Sequence, residues 1–136
     1  MNYDIKNKLN YNLLQHIYYQ DRVGNKEGFI KYYPNNSDTH EDIKWNVCKK
    51  LKKEGYEVYT ECRFKNNKGR ADIIAIKDGI GYIIEIANNE KEKSIASKKD
   101  RYPNDFEIIV VQAKNFNIEN FNLWKTIVNV AEVKKN

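Results

Sequence analysis

The sequence is poor in cysteine and proline and has no long hydrophobic run. Its 136 residues include two cysteines, Cys48 and Cys62, and two prolines. The two cysteines fit neither a disulfide framework nor the paired ligand spacing of a structural zinc site. No stretch approaches the ~18 apolar residues of a membrane span, and residues 1–6 lack the apolar run of a signal peptide. We therefore expect a cytoplasmic protein with no membrane partner.

Positive charge is in excess and unevenly distributed. The chain has 24 Lys and Arg against 19 Asp and Glu. Residues 40–77 hold ten basic and six acidic side chains, which is most of the excess. Such clustering favours a polyanionic partner, most simply nucleic acid, although a solvated lysine-rich face has the same pattern.

Hydrophobic periodicity predicts one α/β unit behind an N-terminal extension. Residues 1–38 form the predicted extension, with a helix over 5–17 and a loop that includes a short strand over Phe29–Tyr33. Residues 39–136 form the predicted main domain. Its elements, in the order αβββαβα, are a helix capped by Thr39 and ending before Gly55, strands over 56–61, 70–76 and 82–87, a helix over 89–101, a strand over 106–111 and a helix over 118–133. This order is typical of a mixed sheet flanked by helices.

Two acidic residues, Asp72 and Glu85, interrupt the apolar second and third strands. Asp78-Gly79 is a favoured two-residue hairpin loop, and it sets a register in which Asp72 faces Glu85 with Cβ atoms about 5 Å apart. Such a pair is destabilising unless one group is protonated, a base pairs with it or a cation binds between them. Mg²⁺ suits two carboxylates, water and a phosphate oxygen. The alternative is that either acid faces solvent and pairs with Arg70 or a lysine.

The two strands that carry these acids resemble the core of the PD-(D/E)xK nuclease superfamily. The similar segments are Gly69–Ala75 and Tyr82–Ala87. Residues 39 to about 112 look most like the archaeal Holliday-junction resolvase branch and related small viral or repair nucleases. The resemblance implies a restriction-endonuclease-like fold, a metal-dependent DNA endonuclease, and an archaeal, bacterial or viral origin.

The resemblance also assigns metal ligands. Asp72 matches the metal-binding aspartate, with Ala71 where the motif name has proline, and Glu85 matches the second acid. Glu41 stands where resolvase-like members carry a further acid, although a first-turn glutamate also stabilises a helix with no catalytic role. The implied cofactor is Mg²⁺, for which Mn²⁺ can substitute. We interpret His40 as a surface residue.

The sequence departs from the motif at Ala87, where the family has a lysine that positions or activates the attacking water. Alanine offers neither a donor nor a charge. We favour an engineered substitution, which leaves the chain able to bind DNA but impaired in cleavage, because the rest of the core is intact. The alternatives are a naturally degenerate member or a lysine supplied from elsewhere. The candidates for such a lysine are Lys91, Lys93, Lys98 and Lys114.

Basic residues around the predicted site are candidate phosphate contacts, which give salt-dependent affinity with little base specificity. They are Lys44, Arg63, Lys65, Lys68, Arg70, Lys98 and Arg101. Four tyrosines in the extension could stack on unpaired bases, although we favour core packing or a dimer surface for them. They are Tyr18, Tyr19, Tyr32 and Tyr33.

Three functions remain open at this point. The first is a DNA endonuclease specific for branched structures, for which the resemblance implies a homodimer because a four-way junction presents two symmetry-related strands. The second is a non-catalytic nucleic-acid-binding module that keeps the nuclease fold. The third is a protein-interaction domain that uses the helices predicted over 5–17 and 118–133.

Overall fold

Two helices and four strands make up the described part of the chain. The structure, a computed structural model, describes residues 3–18, 32, 36–65, 69–87 and 102–123. The elements are α1 (Tyr3–Leu14), α2 (Asp38–Lys53), β1 (Glu57–Arg63), β2 (Arg70–Lys77), β3 (Ile80–Ala87) and β4 (Phe106–Gln112). The predicted α/β class is confirmed. None of the helices in these ranges has the length and apolar character needed to cross a membrane.

The four strands form one mixed sheet in the order β1-β2-β3-β4. β1, β2 and β3 are antiparallel neighbours, and β4 lies parallel to β3. Asp78 and Gly79 connect β2 to β3 with φ angles of 54° and 82°. This is the left-handed conformation that both central residues of a tight hairpin turn require. The pairs run from Lys77–Ile80 to Ile73–Ile84, so the predicted register is confirmed.

Both faces of the sheet are buried. On one face α2 packs Val47 and Leu51 against the strands, and on the other Leu13 of α1 and the following Ile17 enter a second core. This two-sided burial explains why β2 and β3 are almost continuously apolar. The free cysteines Cys48 and Cys62 are buried in different cores.

Two predicted helix starts are wrong. Ser37 caps α2 in place of Thr39, because its hydroxyl accepts the N–H of His40 at 3.1 Å. Residues predicted to start an α-helix instead form a 3₁₀ turn, Ile118–Asn120. Lys50 Nζ donates to the carbonyl of Ile118 at 3.2 Å and to that of Phe121. These bonds occupy acceptors that a continuing α-helix would use.

Several predicted elements lie outside the described residues. They are the strand over 29–33 apart from Tyr32, the turn at 66–68, the helix over 89–101, and positions 124–133 of the last helix. The domain boundary predicted between residues 38 and 39 falls in the first turn of α2. Helix α1 packs on the sheet, where Asn10 Oδ1 accepts the N–H of Gly79 at 2.7 Å.

Candidate active site at the end of the sheet

The hairpin brings Asp72, near the start of β2, next to Glu85, near the end of β3. They follow the Ile73–Ile84 pair in the direction away from the turn. Hydrogen bonding with Glu85 is one cause of the lowered pKa of Asp72, and Asp72 Oδ2 accepts the N–H of Ile86 at 2.8 Å. Two carboxyl groups can share a hydrogen bond only through a proton, so full ionisation of the pair calls for a compensating cation.

His40, in the first turn of α2, completes the environment of Asp72. Its Nε2 lies 3.3 Å from Asp72 Oδ2, and the residue is only 8% exposed. Its Nδ1 is buried and has no hydrogen-bond partner among the described residues. Burial lowers the pKa of His40, but the hydrogen bond and charge of Asp72 outweigh it, so the pKa lies above 6.5. The interpretation of His40 as a surface residue is wrong.

The surroundings of Asp72 favour its ionised form. Burial raises its pKa, but the hydrogen bonds with His40, with Glu85 and with the Ile86 N–H outweigh burial and hold the pKa below 3.8. A carboxylate that accepts several hydrogen bonds stays charged in a buried position. Asp72 therefore presents negative charge at neutral pH in a site that excludes most solvent.

Glu85 is held from the other side by Tyr102, just ahead of β4. The Tyr102 hydroxyl donates to Glu85 Oε1 and also lies 3.3 Å from the carbonyl of Arg70. Both Glu85 and Tyr102 are less than a tenth exposed. Tyr102 was not among the predicted site residues, because it lies 17 residues from Glu85 in the sequence and belongs to no local motif.

A second polar cluster adjoins the acid pair and is centred on Lys44 of α2. Lys44 is 1% exposed. Its Nζ lies 2.9 Å from Glu41 Oε1 and 3.2 Å from Glu61 Oε1. The Asn36 side-chain amide donates to the same two oxygens at 2.8 and 3.0 Å. The expectation that Lys44 lies on an exposed phosphate-binding face is wrong, because the ammonium is buried between two carboxylates.

Glu61 joins this cluster to the acid pair. It lies between the paired positions Thr60–Ile73 and Cys62–Ala71, and hence opposite Asp72. Its φ is 54°, an uncommon conformation for a residue other than glycine and one enriched at functional sites. Arg70 Nε lies 3.1 Å from Glu61 Oε2. Glu61, Asp72 and Glu85 thus form a row of acids across β1, β2 and β3, and sequence reasoning missed the first of them.

Position 87 contributes no polar group. Ala87 is 2% exposed and pairs with Gln112 of β4. Among the proposed replacement lysines, Lys114 is exposed in a 3₁₀ turn, and the others, Lys91, Lys93 and Lys98, lie outside the described residues. Within the described residues, Lys44 pairs with Glu41 and Glu61 beside the site.

The remaining predicted phosphate contacts divide into two groups. Arg63 and Lys65 are exposed, and Arg70 is half-buried against Glu61. The second group lies outside the described residues and comprises Lys68, Lys98 and Arg101.

The side chains at the site determine which metal ion it can hold. In residues 3–18, 32, 36–65, 69–87 and 102–123, no group of three or more His, Cys, Asp or Glu side chains is arranged to hold a metal ion. Two adjacent carboxylates nevertheless suit Mg²⁺, which commonly takes one or two carboxylates and completes its shell with water and substrate phosphate. Asp72 and Glu85 fit that description. Glu41 does not, because the buried Lys44 ammonium contacts both of its oxygens and already neutralises its charge.

A cysteine nucleophile is not part of the described site. Cys48 is fully buried, and burial raises its pKa to about 12. A thiol with such a pKa is almost entirely protonated at neutral pH and is therefore unreactive.

Comparison with protein-family models, curated proteins and solved structures gives no match to this chain.

Proposed function

We propose that the protein is a metal-dependent DNA endonuclease with a restriction-endonuclease-like fold. The observation that carries the proposal is the cross-strand pair of half-buried Asp72 and buried Glu85, near the end of the β2–β3 hairpin opposite its turn. Two carboxylates directly opposite each other on neighbouring strands repel and destabilise the sheet. Their presence therefore indicates a role that uses their charge. Binding a hard divalent cation is the simplest such role.

The order of elements supports the same proposal. The resemblance implies a helix, a three-stranded meander carrying the acids, a helix and a further strand. In the described residues α2 is followed by the antiparallel strands β1, β2 and β3, and β4 then joins the sheet parallel to β3. A parallel neighbour requires a crossover connection, and 18 residues, 88–105, separate β3 from β4.

Asp72 and Glu85 would hold the cation, and the residues around them would fix their orientation. The Ile86 N–H and His40 restrain the Asp72 carboxylate, and Tyr102 restrains Glu85. When bound, Mg²⁺ or Mn²⁺ supplies a Lewis acid for a phosphate oxygen and lowers the pKa of a coordinated water.

The other charged groups have separate roles in this proposal. Lys44 offsets the charges of Glu41 and Glu61, which keeps those acids from repelling a phosphate. The exposed Arg63 and Lys65 would bind the phosphate backbone. A homodimer acting on branched DNA is the form of this activity that the resemblance favours.

The decisive experiment compares position 87 variants. The chain with Ala87, which serves as the reference and is called wild type below, Ala87→Lys and the control Ala87→Met are assayed on linear duplex and on a four-way junction with Mg²⁺ or Mn²⁺. We expect weak cleavage or none from the wild-type chain and from Ala87→Met, and cleavage from Ala87→Lys that Asp72→Asn abolishes. The absence of cleavage by folded Ala87→Lys on every substrate would overturn the nuclease proposal.

A second candidate is a nucleic-acid-binding module without catalysis. It is favoured because three of the acids already have basic partners within the protein. Lys44 pairs with Glu41 and Glu61, and His40 pairs with Asp72. Such a module would bind DNA with strong salt dependence, and its affinity would not change with Asp72→Asn or a chelator. The nuclease proposal predicts that divalent cations alter DNA binding through Asp72.

A further inference from the structure

A basic and aromatic cleft lies beside the row of acids formed by Glu61, Asp72 and Glu85, and none of those acids lines it. It has a volume of about 390 Å³ and is lined by Tyr18, Arg63, Phe64, Gly69 and Arg70. This volume lies at the lower end of the range of small-ligand pockets, about 300–1,000 Å³. It suits one nucleotide and is too small for a double helix.

Backbone pairing fixes the wall of this cleft. Ile17 forms an isolated antiparallel bridge with Phe64. The N–H of Tyr18 donates to the carbonyl of Arg63 at 2.9 Å, and the N–H of Lys65 donates to the carbonyl of His16 at 2.9 Å. Tyr18 is therefore held to the end of β1 by main-chain bonds, which makes the cleft a preformed feature.

The side chains at the rim have the chemistry that single-stranded nucleic acid requires. Tyr18 is 46% exposed, and Lys65 Nζ lies 5.8 Å from the centre of its ring. Arg63 is exposed beside it. An accessible aromatic ring next to two cations can stack a base while the cations bind the adjoining phosphates. The floor is apolar, because Phe64 is 1% exposed and packs on Tyr102 at 5.0 Å between ring centres.

The inner wall of the cleft leads to the acids. Arg70 lines the cleft and pairs through its Nε with Glu61. Its carbonyl lies within hydrogen-bond distance of the Tyr102 hydroxyl, which donates to Glu85. Arg70 therefore connects the cleft to Glu61 and, through Tyr102, to Glu85.

We propose that this cleft binds one unpaired nucleotide of a DNA strand, with the base stacked on Tyr18 and the adjoining phosphates on Arg63 and Lys65. The proposal deepens the nuclease function and rests on it for the identity of the strand, which would be an unpaired segment next to the cleavage position. The binding itself depends on neither a metal ion nor catalysis.

The test measures binding in a chelator by the fluorescence anisotropy of labelled oligodeoxythymidylate and of a blunt duplex of equal length. Tyr18→Ala is expected to weaken single-strand binding about 5- to 100-fold, as loss of one base stack does. Tyr18→Phe keeps the ring and should bind within about twofold of wild type. Tyr11→Ala, at a tyrosine 59% exposed on α1, is the matched control and should bind as wild type does. Duplex affinity should be unchanged by Tyr18→Ala.

Three outcomes would overturn the cleft proposal. They are the absence of single-strand binding at low salt, equal losses for Tyr18→Ala and Tyr11→Ala, and equal losses on single strand and duplex. Competition with thymidine monophosphate separates recognition of a strand from recognition of a free nucleotide, and full competition at concentrations near the oligonucleotide's Kd also contradicts the proposal. Tyr18-dependent binding together with inactive Ala87→Lys would retain the cleft and reject the nuclease.

Discussion

His40 Nε2 lies 3.3 Å from Asp72 Oδ2 and joins the first turn of α2 to the second strand of the sheet. The two groups shift each other's pKa in opposite directions, so that of His40 lies above 6.5 and that of Asp72 below 3.8. Between these values the pair is an imidazolium and a carboxylate. It therefore stabilises the protein most where both groups are charged.

We expect the effect of His40→Gln on the free energy of unfolding to depend on pH in the presence of a chelator. The contribution of a raised His pKa is complete below 6.5 and is lost as the pH rises through the folded value. The contribution of a lowered Asp pKa is complete above 3.8 and is lost as the pH falls through the folded value. Urea denaturation should show a loss of about 1–3 kcal/mol near pH 5 and a smaller loss at pH 8.

The double variant His40→Gln with Asp72→Asn is the control for this pH dependence. When Asp72 is already neutral, adding His40→Gln should produce a difference that varies little between pH 5 and pH 8. A His40→Gln effect of equal size at both pH values in the otherwise wild-type protein would show that the ion pair does not stabilise the fold.

Lys44→Met is expected to destabilise the protein by about 3–5 kcal/mol, because it leaves two buried carboxylates without their shared ammonium. The matched control is Lys53→Met, which makes the same exchange at an exposed position of the same helix. That control should change the free energy of unfolding by no more than about 0.5 kcal/mol. Chemical denaturation at pH 7 measures both.

Adding Glu41→Gln and Glu61→Gln to Lys44→Met should recover part of the lost stability, since neutral amides no longer need a cation. Similar effects of Lys44→Met and Lys53→Met would contradict the buried position of Lys44.

The pairing of β2 with β3 could be predicted from the sequence because it depends on a local feature, the turn at Asp78 and Gly79. Asp78 and Gly79 allow a two-residue turn, and that turn alone sets which residues of β2 and β3 face each other. The positions of Asp72 and Glu85 at the same end of the hairpin follow directly. The start of α2 was less predictable, because Ser37 and Thr39 are both good caps.

The rest of the site could not be derived with the same certainty because it depends on how α2 docks. His40 and Lys44 are polar, and exposure is the usual state of such side chains. A signal was nevertheless present, since positions 40, 44 and 48 share a helix face at i, i+4 spacing and the third is the buried Cys48. The alternation of residues along β1 does not indicate the left-handed conformation of Glu61, whose φ is 54°.

Substitutions at Asp72 and Glu85 should weaken metal binding, whereas a substitution at Glu41 should not. We expect Mn²⁺ to raise the Tm of the wild-type protein, since a ligand at 100 times its Kd stabilises the folded state by about 2.7 kcal/mol. Asp72→Asn and Glu85→Gln should abolish this rise. Glu41→Gln should retain it, because the buried Lys44 ammonium contacts both Glu41 oxygens and already neutralises the Glu41 charge.

Calorimetric titration measures the Mn²⁺ affinity of the wild-type protein and of the Asp72→Asn, Glu85→Gln and Glu41→Gln variants. Loss of Mn²⁺ binding in folded Glu41→Gln would show that Glu41 leaves Lys44 to become a metal ligand, as the resemblance implies. Unchanged binding in Asp72→Asn would place the metal elsewhere.

Asn10→Ala is expected to loosen the contact between α1 and the hairpin turn. The Asn10 side chain accepts the N–H of Gly79 at 2.7 Å, and its loss leaves a partly buried donor without that bond. We expect a loss of about 1–2 kcal/mol after allowing for the better helix propensity of alanine. Asn12→Ala, at an exposed position of the same helix, is the control and should be neutral or slightly stabilising.

Hydrogen exchange tests the Asn10 contact at the atom concerned. The Gly79 amide should exchange faster in Asn10→Ala than in Asn12→Ala, while amides in the middle of β2 and β3 remain equally protected in both. Because Leu9 of α1 also packs over Gly79, where an added Cβ would lie 2.8 Å from Leu9 Cδ1, the helix should stay on the sheet when the hydrogen bond is lost. Equal exchange of the Gly79 amide in the two variants would mean that apolar packing alone holds α1 on the hairpin.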